Sequence, residues 1–242
     1  MSSSSQPRTP ERSRTVAKVD TAEILRFLSL LAEAGQIIEL RLLNVQHHGQ
    51  RFPYTMSGYF SDYEKLAAEA SRHSGHAQGA YVTLNPVTPA LLARAANRLR
   101  AASKDCPSTA DADITRRRWL PIDLDPVRPR GISSTDEEHT WALERAMQVR
   151  GALGAAGWPN PIVADSGNGG HLLYRVDLPA TDDGMVKRCL QALALRFDDD
   201  RVKVDKAIFN PARIWKLYGT VSRKGDPLSE RPHRLARILE AP

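Results

Sequence analysis

The stretch Trp119-Leu120-Pro121-Ile122-Asp123-Leu124-Asp125-Pro126 decides how the chain is read. An apolar run ends in two carboxylates spaced i, i+2. Side chains two apart in a β-strand share a face, so Asp123 and Asp125 project together while Ile122 and Leu124 enter a core on the other side. Pro126 has no N–H to give to a ladder and marks the strand's end. Like charges side by side repel unless something positive sits between them. Mg²⁺ or Mn²⁺, hard and oxygen-seeking, is the natural partner. Alone, Asp-x-Asp is common, and a hydrated strand end is the simpler reading. What lies around it changes that balance.

Working outward, Asp20 caps a helix expected over residues 21–34, which Gly35 ends. Strands are expected over 37–45 and 55–60, with His47-His48-Gly49 as the turn out of the first. A helix over 62–71 and a strand over 81–85 follow, and Pro89 opens a helix carrying Leu91, Leu92, Ala95 and Leu99. Residues 103–115 read as a loop. Thr135 with Glu138 forms a capping box for a helix running through Trp141, Leu143, Ala146 and Val149. Strands at 161–164 and 172–176 flank a Gly-rich turn, and a helix covers 181–197. Asp198-Asp199-Asp200 reads as a solvated loop before a short strand over 202–205.

The 242 residues suffice for one large domain, and the net charge of +6 is unevenly spread. Residues 1–18 carry a net +3 and read as a disordered basic tail ahead of a domain over 19–242. Residues 201–242 carry a net +6, which leaves an acidic body facing a basic C-terminal segment. Two cysteines, Cys106 and Cys189, exclude a disulfide framework or a zinc site and fit a cytoplasmic chain. No apolar run is long enough for a membrane span, and the Ser-rich start is not a secretory signal.

The chemistry sits in features with a fixed order: Asp123/Asp125, then Ser166-Gly167-Asn168-Gly169-Gly170-His171, then Asp205, then a basic segment. Two metals need carboxylates from more than one strand, which Asp123, Asp125 and Asp205 supply. The Ser166–Gly170 loop can bring backbone N–H groups to a phosphate without Cβ interference. His171 can donate to a phosphate oxygen, and Arg213 and Lys216 can clamp the β- and γ-phosphates. Each has a plainer reading as hairpin, structural histidine, turn residue or solvated face. Their joint, ordered occurrence favours nucleotidyl transfer.

The pattern IDLDP…SGNGGHLLY…VD…NPARIWKLYGT…RKG resembles the signature of the archaeo-eukaryotic primase superfamily, in its plasmid- and phage-type primase–polymerase branch. The resemblance spans roughly residues 36–225. It implies an α/β chain of the α+β kind, with a mixed, RRM-like sheet packed on a second α/β unit. It implies Asp123, Asp125 and Asp205 as metal-binding carboxylates, with Mg²⁺ or Mn²⁺, two per site. Ser166, Gly167, His171, Arg213 and Lys216 would bind the incoming nucleotide. Many members write Ser-x-His where four residues here separate Ser166 from His171, and the family's zinc-binding element is absent.

The expected activity is template-dependent primer synthesis and extension from dNTPs or NTPs on single-stranded DNA, with a helicase or accessory priming domain as a further partner. Arg116, Arg117, Arg118, Arg128, Arg130, Arg223 and Lys224 are candidate nucleic-acid contacts, weighed against strand gatekeeping for residues 116–118. The alternatives are a metal-dependent nuclease using the same carboxylates, and a non-catalytic DNA-binding replication-initiator module.

Overall fold

A computed structural model describes residues 17–46 and 52–242. Of the basic tail expected over 1–18, residues 1–16 lie outside the described residues, as does the His47-His48-Gly49 turn. In chain order the elements are α1 (Thr21–Leu31), β1 (Ile38–Val45), β2 (Tyr54–Phe60), α2 (Tyr63–His73) and β3 (Gly79–Thr83). A 3-10 segment (Pro89–Arg94), β4 (Arg100–Ala101) and a second 3-10 turn (Asp111–Asp113) lead into β5 (Arg116–Pro126). Then come α3 (Asp136–Ala155), β6 (Ile162–Asp165), β7 (Gly170–Pro179), α4 (Met185–Phe197) and β8 (Val202–Val204). The chain closes with β9 (Ile214–Lys216), β10 (Val221–Ser222), β11 (Arg234–Leu235) and β12 (Arg237–Glu240).

Two five-stranded sheets result, ordered β4-β2-β1-β3-β9 and β12-β6-β7-β5-β8. Within the second, β5-α3-β6-β7-α4-β8 is a βαββαβ unit with spatial order β6-β7-β5-β8, the split arrangement of ferredoxin-like and RRM-type sheets. The expected mixed sheet is corrected: every strand ladder among the described residues is antiparallel. Each βαβ crossover brings its second strand back one place away, and an antiparallel strand fills the gap.

Helices α3 and α4 cover one face of that sheet. Gly170 lies opposite Leu124, and a Cβ on it would sit 2.8 Å from the Ala142 carbonyl and Ala146 Cβ of α3. Leu124 and Ile122 therefore face α3, fully buried, and Asp123 and Asp125 face away from it. The last elements stitch the halves together. β9 leaves the second sheet's neighbourhood to pair with β3 of the first, and β12 returns to pair with β6. One continuous apolar core joins both sheets.

The caps behave as their residue types dictate. Asp20 and Asp62 accept the Glu23 and Lys65 amides, and the Thr135/Glu138 capping box forms. The helix expected after Pro89 does not continue. Ala95 and Asn97 bond to Tyr59 on β2 instead, and the Asn97 side chain takes the Ser61 and Asp62 amides. An open strand edge carries unpaired N–H and C=O groups, and satisfying them outweighs helix propensity here.

Within Asp198-Asp199-Asp200, Asp200 is exposed as expected of a solvated loop, but Asp198 and Asp199 are not free in solvent. Asp198 accepts the Val204 amide, while Asp199 accepts those of Arg201 and Val202 and pairs with Arg145. These bonds set the entry to β8. The Val202 amide, then Arg145, hold the Asp199 carboxyl down at about 2. A depressed folded value stabilises above the unfolded value of 3.8 and is lost as pH falls toward 2. Asp199→Ala is expected to cost about 1 kcal/mol at pH 7, discounted for its partial exposure, or roughly 2–4 °C in Tm. Thermal melts of both proteins should converge between pH 4 and pH 2; a gap that persists at pH 2 would contradict this assignment.

Candidate active site

Asp123, Asp125 and Asp205 all line a cleft of about 320 Å³ between the two sheets. Register explains it. β8 pairs with the end of β5, Val204 opposite Leu124, and the Asp205 amide bonds to the Asp123 carbonyl at 2.9 Å. Asp205 Oδ1 also accepts the Ala207 amide, which fixes its side chain. Burial pushes the Asp123 carboxyl above the ordinary range; the Asp125 charge adds to this and His171 opposes it.

His171 lies directly across the ladder from Asp123. Its Nδ1 is 3.0 Å from the Tyr218 hydroxyl, which lies 2.8 Å from Trp215 Nε1. An indole N–H can only donate, so the hydroxyl accepts from Trp215 and donates its single proton to His171 Nδ1. Burial pushes the phenol well above its ordinary value, which keeps that proton in place. The neutral imidazole then carries its proton on Nε2, the nitrogen 3.3 Å from Asp123 Oδ1. That contact is ionic in distance but outside hydrogen-bond alignment, and Asp123 Oδ1 is buried without a hydrogen bond. The Trp215 ring lies 4.0 Å from the imidazole and holds its plane.

The Gly-rich loop corrects one expectation. Its N–H groups do not face an open cradle. Gly167 N–H donates to Asp165, and the Asn168 and Gly169 amides donate to Ser166 Oγ. Ser166 Oγ in turn donates to the Gly169 carbonyl, so the serine builds the turn. Three anchors fix the loop from outside. Asp165 pairs with His139 of α3 at 2.7 Å, the Asn168 side chain accepts the Ser134 amide, and Ser222 donates to the Ser166 carbonyl. Gly167, at φ +85°, has Ser222 against the place a Cβ would take. The loop is a rigid frame that delivers His171.

The cations come from β9 and the segments on either side of it. Lys216 stands opposite Tyr81 in the β3–β9 ladder, with Nζ over the Tyr81 ring and bonded to the Val221 carbonyl. Burial, then the Lys224 charge, draws the Lys216 ammonium down to about 7. Arg213 and Lys224 line the same cleft, and Arg213 Nε is buried without a partner. A wider hollow of about 800 Å³, bordered by Lys18, Arg223 and His233, has no carboxylate among its described lining residues.

The remaining basic candidates divide. Arg117 is buried and bonded to Asp182 and the Phe209 carbonyl, which removes it from any nucleic-acid surface. Arg116 and Arg118 both pair with Asp177, about 20 Å along β5 from the carboxylates at its rise per residue. Arg223 bonds to the Gly75 carbonyl, and Arg130 is exposed. Arg128, with a side chain 7 % exposed, contacts Asp125. Much of the basic C-terminal segment also has a structural partner. Arg231 pairs with Glu138 and Arg234 with Asp136.

Among the described residues no group of three His, Cys, Asp or Glu side chains is placed to hold a metal ion, so Asp123, Asp125 and Asp205 do not form a ready-made three-carboxylate site. Mg²⁺-type ions are held by one or two carboxylates completed by water and substrate phosphate, so an open pair with an orphaned buried oxygen fits such an ion. No protein-family model matches the chain, and no curated protein matches it.

Tyr218→Phe leaves His171 Nδ1 and Trp215 Nε1 without partners and should cost about 1–3 kcal/mol in urea denaturation. Nitrogen-15 NMR of the ring should show His171 as the Nε2–H tautomer in the unaltered protein. An Nδ1–H tautomer would contradict the donor assignment.

Proposed function

We propose that the chain is the catalytic core of a primase–polymerase, joining nucleotides on single-stranded DNA by attack of a 3′-hydroxyl on the α-phosphate of a (d)NTP with release of pyrophosphate. The observation that carries this reading is that Asp123, Asp125 and Asp205 line one cleft together with Arg213, Lys216 and Lys224. Asp123 and Asp125 lie on the second sheet and Lys216 on the first, so only the assembled fold makes the site. The likeness to the archaeo-eukaryotic primase pattern and the βαββαβ order support it further.

Asp123 and Asp125, with Asp205 beside them, would hold Mg²⁺ or Mn²⁺, two per site. When bound, such ions lower the pKa of the attacking hydroxyl and offset the charge of the triphosphate. Lys216, Arg213 and Lys224 bind the β- and γ-phosphates; a polyphosphate beside Lys216 favours its charged form. His171 Nε2–H, 3.3 Å from Asp123, donates to a phosphate oxygen that comes between them. Tyr218 and Trp215 hold that ring, and the Ser166–Gly170 loop holds its backbone.

A labelled dNTP, single-stranded template and Mn²⁺ should give extended products with the purified chain. Asp123→Asn with Asp125→Asn should reduce synthesis by roughly two orders of magnitude or more while the protein stays folded by circular dichroism. Lys216→Ala should raise the nucleotide KM about tenfold, the loss of one charge-assisted contact. Shortened template without synthesis would replace this reading with a nuclease. Nucleotide binding that is indifferent to Mn²⁺ would replace it with a DNA-binding module.

A further inference from the structure

Asp125 already has a cation. Arg128, three residues on, places Nη1 and Nη2 each 3.3 Å from Asp125 Oδ1. The guanidinium is buttressed on its other edges. Nε donates to the Ile132 carbonyl at 3.2 Å and Nη1 to the Pro126 carbonyl at 3.0 Å. The Arg128 side chain is 7 % exposed and that of Asp125 38 %. Arg128 is thus the buried, fixed member of the pair. It also borders a second hollow of about 300 Å³, which shares Asp125 and Lys224 with the main cleft and has Arg130 and Gln78 on its rim.

A divalent ion and a guanidinium compete for one carboxylate oxygen. The two contacts are long for an arginine–carboxylate pair, whose usual N···O distance is about 2.7–2.9 Å. They fall on the same oxygen, so the planar fork is not matched to both carboxylate oxygens. A phosphate would match it better. We propose that Arg128 is the resident counter-cation of Asp125, which an incoming divalent ion displaces and which phosphate in the adjoining hollow draws away. Metal and phosphate then bind with positive coupling, each helping the other by the same factor. This rests on the reading that Asp123 and Asp125 hold a divalent ion.

The test is titration of the whole chain with MnCl₂ alone, followed by water-proton relaxation, without nucleotide or template. Arg128→Ala should bind Mn²⁺ roughly five- to tenfold tighter than the unaltered protein. Arg128→Lys keeps the charge and loses the fork, so it should fall between them; it carries the test should the alanine variant not fold. Arg130→Ala removes an equal charge from the exposed rim and should shift the affinity less than about threefold, because solvent screens it. Inorganic phosphate, with its own Mn²⁺ complex accounted for, should tighten Mn²⁺ binding in the unaltered protein and have little effect in Arg128→Ala. Equal or weaker Mn²⁺ binding in Arg128→Ala, an Arg130→Ala shift as large, or no Mn²⁺ binding in any variant would overturn the inference. Tighter binding in Arg128→Ala with no primer synthesis by the unaltered protein would overturn the proposed function and leave this inference standing.

Discussion

The repulsion between Asp123 and Asp125 is what the rest of the molecule is arranged around. A strand forces the two carboxylates onto one face, and burial of Ile122 and Leu124 behind them forbids a one-residue slip that would separate the charges from the cleft. The chain answers with one polar partner per acid: the His171 Nε2–H across the ladder from Asp123, and the Arg128 guanidinium beyond the strand end for Asp125. Neither answer is complete. Asp123 Oδ1 has no hydrogen bond, and Arg128 reaches only one oxygen of Asp125. A site left partly compensated in this way is poised for a ligand that brings its own positive charge.

The frame holding these groups is made of bonds that spend no donor on a ligand. The Gly-rich loop satisfies its own amides, Asp165 is tied to His139, and Asn168 to Ser134. Tyr218 passes a hydrogen-bond preference from Trp215 to His171. Trp215 and Lys216 belong to β9, so one short strand both props the imidazole of the second sheet and carries a cation from the first. That is why closing the chain through β9 matters to the site more than to the core.

Much of this was legible in the sequence, because the signals were local. The alternation around Asp123 and Asp125, the Thr135/Glu138 capping box and the stop at Pro126 are all read within a few residues. The co-location of Asp205 followed from a short β-branched strand and from the pattern's likeness to a known family. What escaped is contact made at a distance or by a loop. Arg128 looks like surface charge until Pro126 and Ile132 turn their carbonyls toward it. Arg117 sits in a basic run and yet points into the interior, because its neighbours Arg116 and Arg118 take the opposite side of the strand with Asp177. The Pro89 segment was lost as a helix because the edge of β2 needed a partner, which no periodicity records.

The central claim is that Asp123 and Asp125 share a divalent cation beside a bound triphosphate. Anomalous scattering from crystals grown with Mn²⁺ and a dNTP tests it most directly. The account predicts a manganese peak within about 2.0–2.3 Å of oxygens from both aspartates and from the triphosphate, with Asp205 at the same site. A bound triphosphate whose manganese lies away from Asp123 and Asp125 would contradict it.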